Sequence, residues 1–199
     1  MGAADGKDTF VELLAEQLRG KVERHAMADK LRVITEIISG IRMTTTHSIN
    51  NPFCNEIRNY TQEQKNINIK QFDKTIGETL QIVGTELFRD NYDADIWVKS
   101  IFNEETEEKL NDGKIITIPD VRFINEADYI IREGGYLIRL EGDPMGVREN
   151  SLRDPNHISE TNLDDYTKFD KVIHNDKKDI NILKNIVNDL VIELGLNEE

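Results

Sequence analysis

Short apolar runs alternate with helical segments along the second half of the chain, and this alternation is what most constrains the fold. Ile115-Ile116-Thr117-Ile118 is a nearly continuous apolar run that ends at Pro119-Asp120, as expected for a strand buried on both faces of a parallel sheet. The later pattern predicts a helix over Asn125–Glu133, strands over Tyr136–Leu140 and Lys171–Ile173, and a closing helix over Ile180–Leu194. This order predicts an α/β layered fold with a mainly parallel sheet.

The first half of the chain is expected to contribute mostly helices. Apolar residues at helical spacing predict helices over Lys7–Arg19, Asp29–Ile41, Thr75–Arg89 and Asp93–Leu110, with a short strand over Val22–Met27. The second of these helices has an expected buried stripe of five residues: Leu31, Ile34, Ile37, Ile38 and Ile41.

The length of 199 residues suits a single domain covering residues 1–199. Residues 44–70 are polar, rich in asparagine and without a regular period, so we expect a variable insertion there, with some helix. Residues 142–161 contain Gly142, Pro144 and Gly146, which could serve as hinges, so this stretch is expected to form a lid-like mobile loop.

The net charge of −13 argues against a broad nucleic-acid or membrane surface, since either would need a basic face. It still allows a small phosphate compound in a local basic pocket. Cys54 is the only cysteine, so no internal disulfide can form and a reducing compartment is expected. With no membrane-spanning apolar run and no secretory leader in the sequence, we expect a cytoplasmic location.

The stretch Gly6-Lys7-Asp8-Thr9 leads into the first helix and is typical of a phosphate-binding loop. Backbone N–H groups at a helix N-terminus point toward an anion, and a lysine there can reach the β- and γ-phosphates of a nucleotide. The full pattern has four residues between its glycines, whereas Gly2 and Gly6 enclose three. No apolar strand precedes the loop in this sequence, so the motif alone is a weak signal.

Asp120 and Arg122 follow the end of a predicted buried strand, which is where ligands bind in open α/β sheets. An aspartate at such a strand end also holds magnesium in P-loop enzymes. The alternative is an ordinary helix-capping aspartate with a surface arginine as its partner. The residues alone leave both interpretations open at about even odds.

Gly84-Thr85-Glu86, Arg89 and Trp97 form a second group at a helix-rich junction. Trp97 could stack on a nucleotide base, but a core tryptophan is about twice as common without further context. A glycine within a helix costs about 1 kcal/mol relative to alanine, so Gly84 is expected to have a packing reason.

Among the remaining basic residues, Arg148 and Arg153 lie in the lid-like loop and are candidates for stabilising a transferring phosphoryl group. Arg139 alternates within a strand and is expected to be solvated or ion-paired. The four histidines show no i,i+4 pair, and one cysteine offers no zinc site.

Taken together, the motifs resemble those of the phage and large-virus deoxynucleoside monophosphate kinase family. In chain order they are Gly6-Lys7-Asp8-Thr9, Met27-Ala28-Asp29 through Arg32, Leu80-Gln81 with Gly84-Thr85-Glu86, Arg89, Trp97-Val98, Asp120-Val121-Arg122-Phe123 with Asn125-Glu126-Ala127, Gly134-Gly135, His157-x-Ser159-Glu160 and Ile173-x-Asn175-Asp176. The resemblance covers nearly the whole chain and is thinnest over residues 44–70. It implies a P-loop kinase three-layer sandwich and transfer of the ATP γ-phosphoryl group to a deoxynucleoside monophosphate.

The resemblance also implies a role for individual residues. The ATP phosphates would be held by Gly6, Lys7, Asp8 and Thr9, and the adenine would lie near Asn175. The acceptor nucleotide would be bound by Arg32, Gly84, Thr85, Trp97, Asp120, Arg122 and Glu126. Mg²⁺ would be held by Thr9 and Asp120, and the residues acting in the transfer would be Lys7, Arg122, Arg148 and Arg153. The implied ligands are ATP, Mg²⁺ and a deoxynucleoside monophosphate. A homodimer stays open.

The sequence departs from the family pattern at three places. Gly77 stands where the family often has arginine, and Glu141-Gly142 replaces a usual Arg-Pro before the lid. The first strand of the P-loop fold is missing or truncated, which would leave a gap beside buried neighbours. The alternative function is therefore a catalytically impaired nucleotide-binding or interaction module derived from this family, and a third is kinase chemistry on another small acceptor.

Overall fold

The structure is a computed structural model that describes residues 6–46, 57–142, 158–175 and 179–196. Its α-helices are α1 (Lys7–Gln17), α2 (Ala28–Ser39), α3 (Gln62–Lys65), α4 (Ile76–Gln81), α5 (Ile96–Ile101), α6 (Glu104–Asn111), α7 (Ile124–Arg132), α8 (Ile158–Thr161) and α9 (Ile180–Glu193), and a π-helix covers Ile82–Arg89. Its strands are β1 (Val22–Arg24), β2 (Thr44–Thr46), β3 (Ile57–Asn59), β4 (Asn68–Ile69), β5 (Lys74–Thr75), β6 (Ile115–Thr117), β7 (Ile138–Glu141) and β8 (Lys171–His174).

Two parallel strand pairs form the centre of the molecule. β1 pairs with β6, with Val22 opposite Ile115, and β7 pairs with β8, with Ile138 opposite Lys171. The strands β2 and β3 form an antiparallel pair, as do β4 and β5. The α/β class is thus confirmed as a mixed helix and strand fold with small parallel sheets, whereas the three-layer P-loop sandwich stays a prediction.

Helices α1 and α9 pack together over one face of the parallel strands. Apolar residues of both helices form a buried cluster with Leu140 of β7 and Ile173 of β8. The cluster includes Phe10 and Leu14 from α1, and Val187, which is 1% exposed, from α9. The opposite face of β6 meets a second cluster built around Trp97, Val98 and Ile130. The strands therefore have apolar layers on both sides.

An apolar cavity of about 370 Å³, here called the central groove, lies between the two parallel pairs. Ile116 and Ile118 line it from the β6 side, while Ile138 and Leu140 line it from β7. Within the described ranges, no backbone hydrogen bond joins β6 to β7. The two pairs are thus neighbours across a cavity without forming one continuous sheet.

The predicted helix over Asp93–Leu110 is wrong as a single element, because it divides into α5 and α6 at Phe102–Asn103. The side-chain oxygen of Asn103 accepts a hydrogen bond from the Thr106 backbone N–H at 3.2 Å, and the Thr106 hydroxyl oxygen accepts one from the Asn103 N–H at 3.0 Å. This reciprocal cap begins a new helix within a stretch whose apolar spacing looked continuous.

The predicted buried stripe of α2 is also wrong in part. Ile37 is 76% exposed and Ile38 is 42% exposed, whereas Thr35 is fully buried. The Thr35 hydroxyl donates a hydrogen bond to the Leu31 carbonyl at 3.0 Å, which satisfies its polar group inside the core. Helical spacing indicated an apolar side of α2 but could not show which part of it meets neighbours.

Residues 44–70 contain more regular structure than the sequence predicted. Strands β2, β3 and β4 and helix α3 fall within this stretch, of which residues 47–56 lie outside the described ranges. Tyr60, Ile69 and Ile76 form a buried cluster with Met43, and the Tyr60 hydroxyl donates to the Ile41 carbonyl at 3.1 Å. Four buried residues thus anchor this polar stretch.

Within the described ranges, no helix has the length and apolar character that crossing a bilayer requires.

Candidate active site

The N-terminus of α1 lies against the end of β8. Gly6 has φ of 80°, and a Cβ added there would lie 2.6 Å from Nδ2 of Asn175. Asn175 is 9% exposed, and its backbone N–H donates to the Glu141 carbonyl at the end of β7. The structure therefore brings together Gly6 and Asn175, two predicted ATP-binding residues from opposite ends of the sequence.

Lys7 lines the central groove, as do Pro119 and Val121, the residues on either side of Asp120. Lys7 and Thr9 are half-buried, whereas Asp8 is exposed. Lys7 and the two neighbours of the strand-end aspartate thus line one cavity.

Arg24, at the end of β1, is a candidate that the sequence analysis missed. Its guanidinium lies 3.8 Å from the Asp8 carboxylate, and its side chain is 12% exposed. The Arg24 Nε is buried, and no residue in the described part of the chain accepts a hydrogen bond from it. A cation beside the first turn of α1 adds positive potential where anions already bind well. The sequence signal was its place at a strand end, but the predicted strand continued to Met27 and concealed that end.

Asp120 caps the N-terminus of α2. Its two carboxylate oxygens accept hydrogen bonds from the backbone N–H groups of Met27, at 2.9 Å, and Ala28, at 3.0 Å. The capping interpretation is therefore present in the structure. Each oxygen retains a second acceptor site, so this cap leaves the carboxylate able to face a further ligand.

Arg32 lies one turn further along α2 and is held by Asp29. Its Nη1 donates to Asp29 Oδ1 at 2.7 Å, while Asp29 Oδ2 accepts from the Ala26 N–H at 2.9 Å. The Arg32 side chain is 15% exposed. Asp29 thus fixes a guanidinium near the helix terminus that Asp120 caps.

Glu126 is a buried carboxyl at the start of α7. It accepts hydrogen bonds from the backbone N–H groups of Arg122, at 2.9 Å, and Phe123, at 3.0 Å, and is 4% exposed. Burial raises its pKa from 4.5 to about 7, against the opposing effects of these two hydrogen bonds and of the nearby Arg89 charge. The negative charge of Asp120 has a smaller effect in the same direction as burial.

Arg89 organises this acidic corner, a role that the sequence analysis did not assign. Its Nη2 donates to Asn125 Oδ1 at 2.7 Å, its Nη1 lies 3.5 Å from Glu126 Oε1, and its guanidinium carbon lies 3.5 Å from the centre of the Phe123 ring. Among the described residues, the buried Nη1 has no hydrogen-bond partner. Arg89 is thus held over Phe123 and beside Glu126.

Gly84 and Trp97 form a packing unit behind this corner. The Trp97 Nε1 donates to the Gly84 carbonyl at 2.9 Å, and a Cβ on Gly84 would lie 2.7 Å from Leu31 Cδ2. Trp97 is 8% exposed and meets Phe88 edge-on, with ring centres 5.5 Å apart. Thr85 is half-buried beside them. The structure thus gives Gly84 its packing reason and gives Trp97 a core position; base stacking by Trp97 stays a prediction.

Comparison with known proteins agrees with this arrangement. A profile of the family described as deoxynucleotide monophosphate kinase matches residues 24–187, which is most of the chain. The chain belongs to the deoxynucleotide monophosphate kinase family. The match begins at Arg24 and therefore leaves Gly6 to Thr9 outside it.

The chain is also similar to a protein of Acanthamoeba polyphaga mimivirus whose name marks it as a candidate deoxynucleotide monophosphate kinase. The two sequences are 36% identical over 126 residues, which is 59% of this chain. The aligned region spans 62% of the mimivirus protein. The resemblance to large-virus kinases seen in the motifs is therefore confirmed at the level of the family.

Of the remaining residues named in the sequence analysis, some lie within the described part of the chain and others lie outside it. Arg148 and Arg153 lie outside the described residues, as does most of the predicted lid. Arg122 is half-buried, and in the sequence it lies between Asp120 and Glu126. Arg139 is ion-paired as expected, with its Nε 2.9 Å from Glu141 Oε1. Among the described residues, no three His, Cys, Asp or Glu side chains form a metal-binding group.

Gly6→Ala is expected to lower kinase activity more than tenfold. A side chain at φ of 80° costs about 1–2 kcal/mol, and its Cβ would also displace Asn175 from α1. Gly113→Ala is the matched control, because Gly113 has φ of 77° with open space around its Cβ position. Steady-state kinetics measure the loss of activity in both variants, and urea unfolding measures their loss of stability. Equal activity losses in both would contradict a special role for the Gly6 contact.

Proposed function

We propose that this protein transfers the γ-phosphoryl group of ATP to a deoxynucleoside monophosphate. The family match makes this class of reaction the first candidate. The observation that carries the proposal is that Lys7, at the N-terminus of α1, lines the same cavity as the residues flanking Asp120. A donor phosphate at α1 and an acceptor near Asp120 would then meet at the carboxyl ends of the parallel strands.

The ATP phosphates are proposed to bind at the N-terminus of α1. Backbone N–H groups of the first turn would bind them, together with the Lys7 ammonium and the Thr9 hydroxyl. Gly6 would allow close approach of the backbone, and Asn175 would lie near the adenine. The exposed Asp8 does not add positive charge, but it orients Arg24 toward this helix terminus.

The acceptor nucleotide is proposed to bind between α2 and the start of α7. Arg32 and Arg122 would neutralise its phosphate, while Asp120 and Glu126 would orient it. Gly84, Thr85 and Trp97 would shape the wall of the base pocket. Burial of the Arg89 and Glu126 side chains supports a fixed, dry corner, in which hydrogen bonds to a polar ligand are stronger than in water.

The residues proposed to hold Mg²⁺, Thr9 and Asp120, fit an ion whose other ligands are phosphate oxygens and water. A hydroxyl and a carboxylate, from Thr9 and Asp120, are hard oxygen ligands, and magnesium in kinases takes one or two protein ligands beside phosphate and water. When bound, the ion would supply charge neutralisation on the phosphates.

In this reaction the protein would position the two substrates and form no covalent bond with either of them. A phosphate oxygen of the acceptor attacks the γ-phosphorus, the bond from that phosphorus to the β–γ bridging oxygen breaks, and ADP leaves. Lys7 and Arg122 would stabilise the charge on the transferring group, and closure over the site would exclude water. Arg148 and Arg153 are proposed to act from the closing loop.

The direct test is ADP release from Mg-ATP with each of the four deoxynucleoside monophosphates. We expect ADP and the matching deoxynucleoside diphosphate in equal amounts with at least one of them. Measurable ATP binding without ADP release on any acceptor would instead favour an impaired nucleotide-binding module. Activity confined to ribonucleotides or other small acceptors would favour the third alternative.

Arg24→Met is expected to raise the KM for ATP about 10- to 100-fold. Hydrogen bonds from a charged donor contribute about 1.5–3 kcal/mol, and the substitution would also leave Asp8 uncompensated beside the phosphates. Arg24→Lys should restore part of the affinity. Arg58→Met is the matched control, because Arg58 is also a strand arginine paired with an acid, Glu36, but lies in the β3 hairpin. An unchanged KM in Arg24→Met would remove Arg24 from the site.

A further inference from the structure

The ring of His174 lies at the carboxyl end of the parallel pair formed by β7 and β8, and its side chain is 70% exposed. His174 is the last residue of β8, and Glu141, the last residue of β7, lies opposite it. The next residue, Asn175, is buried against Gly6 at the N-terminus of α1. An exposed aromatic ring is therefore one position along the chain from the contact between β8 and α1.

Glu141 holds this ring from one side. Its Oε2 lies 3.3 Å from Nδ1 of His174, while its Oε1 lies 2.9 Å from Nε of Arg139. The carboxylate is thus shared between an imidazole and a guanidinium. Glu141 stands where the family pattern usually has arginine, so this arrangement belongs to the present chain and not to that pattern.

Arg139 fixes the inner end of this group. Its Nη1 donates to the Leu163 carbonyl at 2.8 Å, and its guanidinium carbon lies 5.3 Å from the centre of the Phe169 ring. The exposed fraction of the side chain rises from 19% at Arg139 through 39% at Glu141 to 70% at His174. Because the ring is anchored from inside, ordering it against a ligand costs less side-chain entropy than ordering a freely rotating ring.

The surroundings of His174 favour a planar ligand over a metal ion. Within the described ranges, no three His, Cys, Asp or Glu side chains form a metal-binding group, and the Glu141 carboxylate is already shared with a cation. A largely exposed imidazole that is anchored at one nitrogen keeps its face available for stacking. Aromatic side chains stack on any nucleobase, because every base has a π-face.

The place of His174 relative to α1 suits the base of a bound nucleotide. Ile173 packs in the α1–α9 cluster, and neighbouring residues of a strand point to opposite faces, so His174 points away from that cluster. Asn175 in turn contacts Gly6 of α1. A nucleotide with its phosphates at α1 would therefore reach His174 with its base across the carboxyl end of β8, the edge where ligands bind in open α/β sheets.

We propose that His174 stacks on the base of the phosphoryl donor, and that Glu141 and Arg139 act as positioning residues for its ring. The proposal rests on the proposed function in one respect, namely that the donor triphosphate binds at α1. It adds a residue that reads the base and a ligand class. That class is a purine nucleoside triphosphate, whose two-ring base offers a larger stacking face than a pyrimidine.

The first test compares ATP with tripolyphosphate, which has the phosphates but no base, both in the presence of Mg²⁺. By isothermal titration calorimetry without an acceptor, His174→Ala should raise the Kd for ATP about 5- to 100-fold and change the Kd for tripolyphosphate by less than about twofold. Val172→Ala is the matched control and should change neither Kd, because Val172 lies two positions earlier on the same face of β8 and is 44% exposed. An unchanged Kd for ATP in His174→Ala, or an equal rise for both ligands, would overturn the proposal.

His174→Phe separates stacking from the contact with Glu141. Phenylalanine keeps an aromatic face without a ring nitrogen, so this variant should retain most of the ATP affinity that His174→Ala loses. A loss as large as that of His174→Ala would show that the ring does not act by stacking.

Glu141→Gln tests the positioning role. It should lower the ratio of ATP affinity to tripolyphosphate affinity by a smaller factor than His174→Ala does, and should lower it no further in the His174→Ala background. Additive losses would show that Glu141 acts on the ligand directly and would overturn its positioning role.

Purine preference is measured by comparing ATP with CTP. The wild-type chain should bind ATP more tightly, and His174→Ala should bring the two Kd values closer together. Equal affinity for ATP and CTP in the wild-type chain would overturn the purine assignment.

Binding without an acceptor keeps this assignment separate from the transfer reaction. ADP release with a deoxynucleoside monophosphate, together with an ATP Kd that His174→Ala leaves unchanged, would remove His174 from the site and leave the proposed function standing. ATP affinity that depends on His174, without ADP release on any acceptor, would support stacking and contradict the proposed reaction. Failure of the wild-type chain to bind ATP would contradict both.

Discussion

Replacing Lys7 with alanine is expected to lower the turnover number about 10²–10³-fold, the largest effect on catalysis that we expect from one side chain. Removing one preorganised donor from a developing negative charge costs this much in other enzymes. Lys7 lies in the first turn of α1, and the dipole and backbone N–H groups of a helix N-terminus favour phosphate. Its ammonium would add a full positive charge that can reach the transferring phosphoryl group.

The free energy of unfolding should change much less in this variant. Lys7 is half-buried at the rim of the groove, so Lys7→Met, which keeps the apolar stem, separates loss of charge from loss of packing. Lys70→Ala is the matched control, because Lys70 is exposed and lies between β4 and β5. Single-turnover kinetics measure the effect on catalysis, and urea unfolding measures the effect on the free energy of unfolding. Wild-type turnover in Lys7→Met would contradict the phosphate-binding assignment.

Local patterns in the sequence were enough to predict most elements. Lys7–Gln17, Ile115–Thr117 and Ile180–Glu193 were found because their apolar residues repeat with a helical period or form a short continuous run. The prediction of a site at the carboxyl ends of the strands also came from order alone, since Asp120 follows such a run after Pro119.

Features set by distant partners could not be predicted in the same way. Arg89 and Asn125 are 36 positions apart, and no local period shows that their side chains bond. The pairing of Arg24 with Asp8 requires β1 and α1 to be placed first. For α2, the exposure of Ile37 depends on which neighbours reach it, so apolar character alone gave the wrong answer.

Arg89→Met is expected to destabilise the protein by about 1–2 kcal/mol at pH 5 and by about 1 kcal/mol more at pH 8, because an unpaired Glu126 carboxyl stays protonated at a cost of about 1.4 kcal/mol per pH unit above 7. Removing one partner from a buried ion pair leaves the other charge uncompensated. Arg89 lies 3.5 Å from Glu126, whose side chain is 5% exposed. At pH 5 the Glu126 carboxyl is mostly protonated, since its pKa is raised to about 7. There the variant loses mainly the contact with Phe123 and the hydrogen bond to Asn125.

The direction of this pH dependence follows from the sign of the pKa shift. Because the folded pKa of Glu126 lies above its ordinary value of 4.5, the unfolded chain releases the proton first as the pH rises. Stability from this group is therefore complete below pH 4.5 and falls by about 3 kcal/mol between pH 4.5 and 7, then stays level. Without Arg89 the folded pKa rises further, so the loss continues to higher pH.

A double-mutant cycle with Glu126→Gln isolates this interaction. The amide oxygen of glutamine can still accept from the N–H groups of Arg122 and Phe123, but it carries no titrating charge. In the Glu126→Gln background, Arg89→Met should therefore cost the same at pH 5 and pH 8 in urea unfolding. Arg132→Met is the control, because Arg132 also stacks on an aromatic ring, that of Tyr129, yet its side chain is 63% exposed. If Arg89→Met costs the same at both pH values in the otherwise wild-type chain, Glu126 does not change its charge between pH 5 and pH 8, which would contradict the raised pKa.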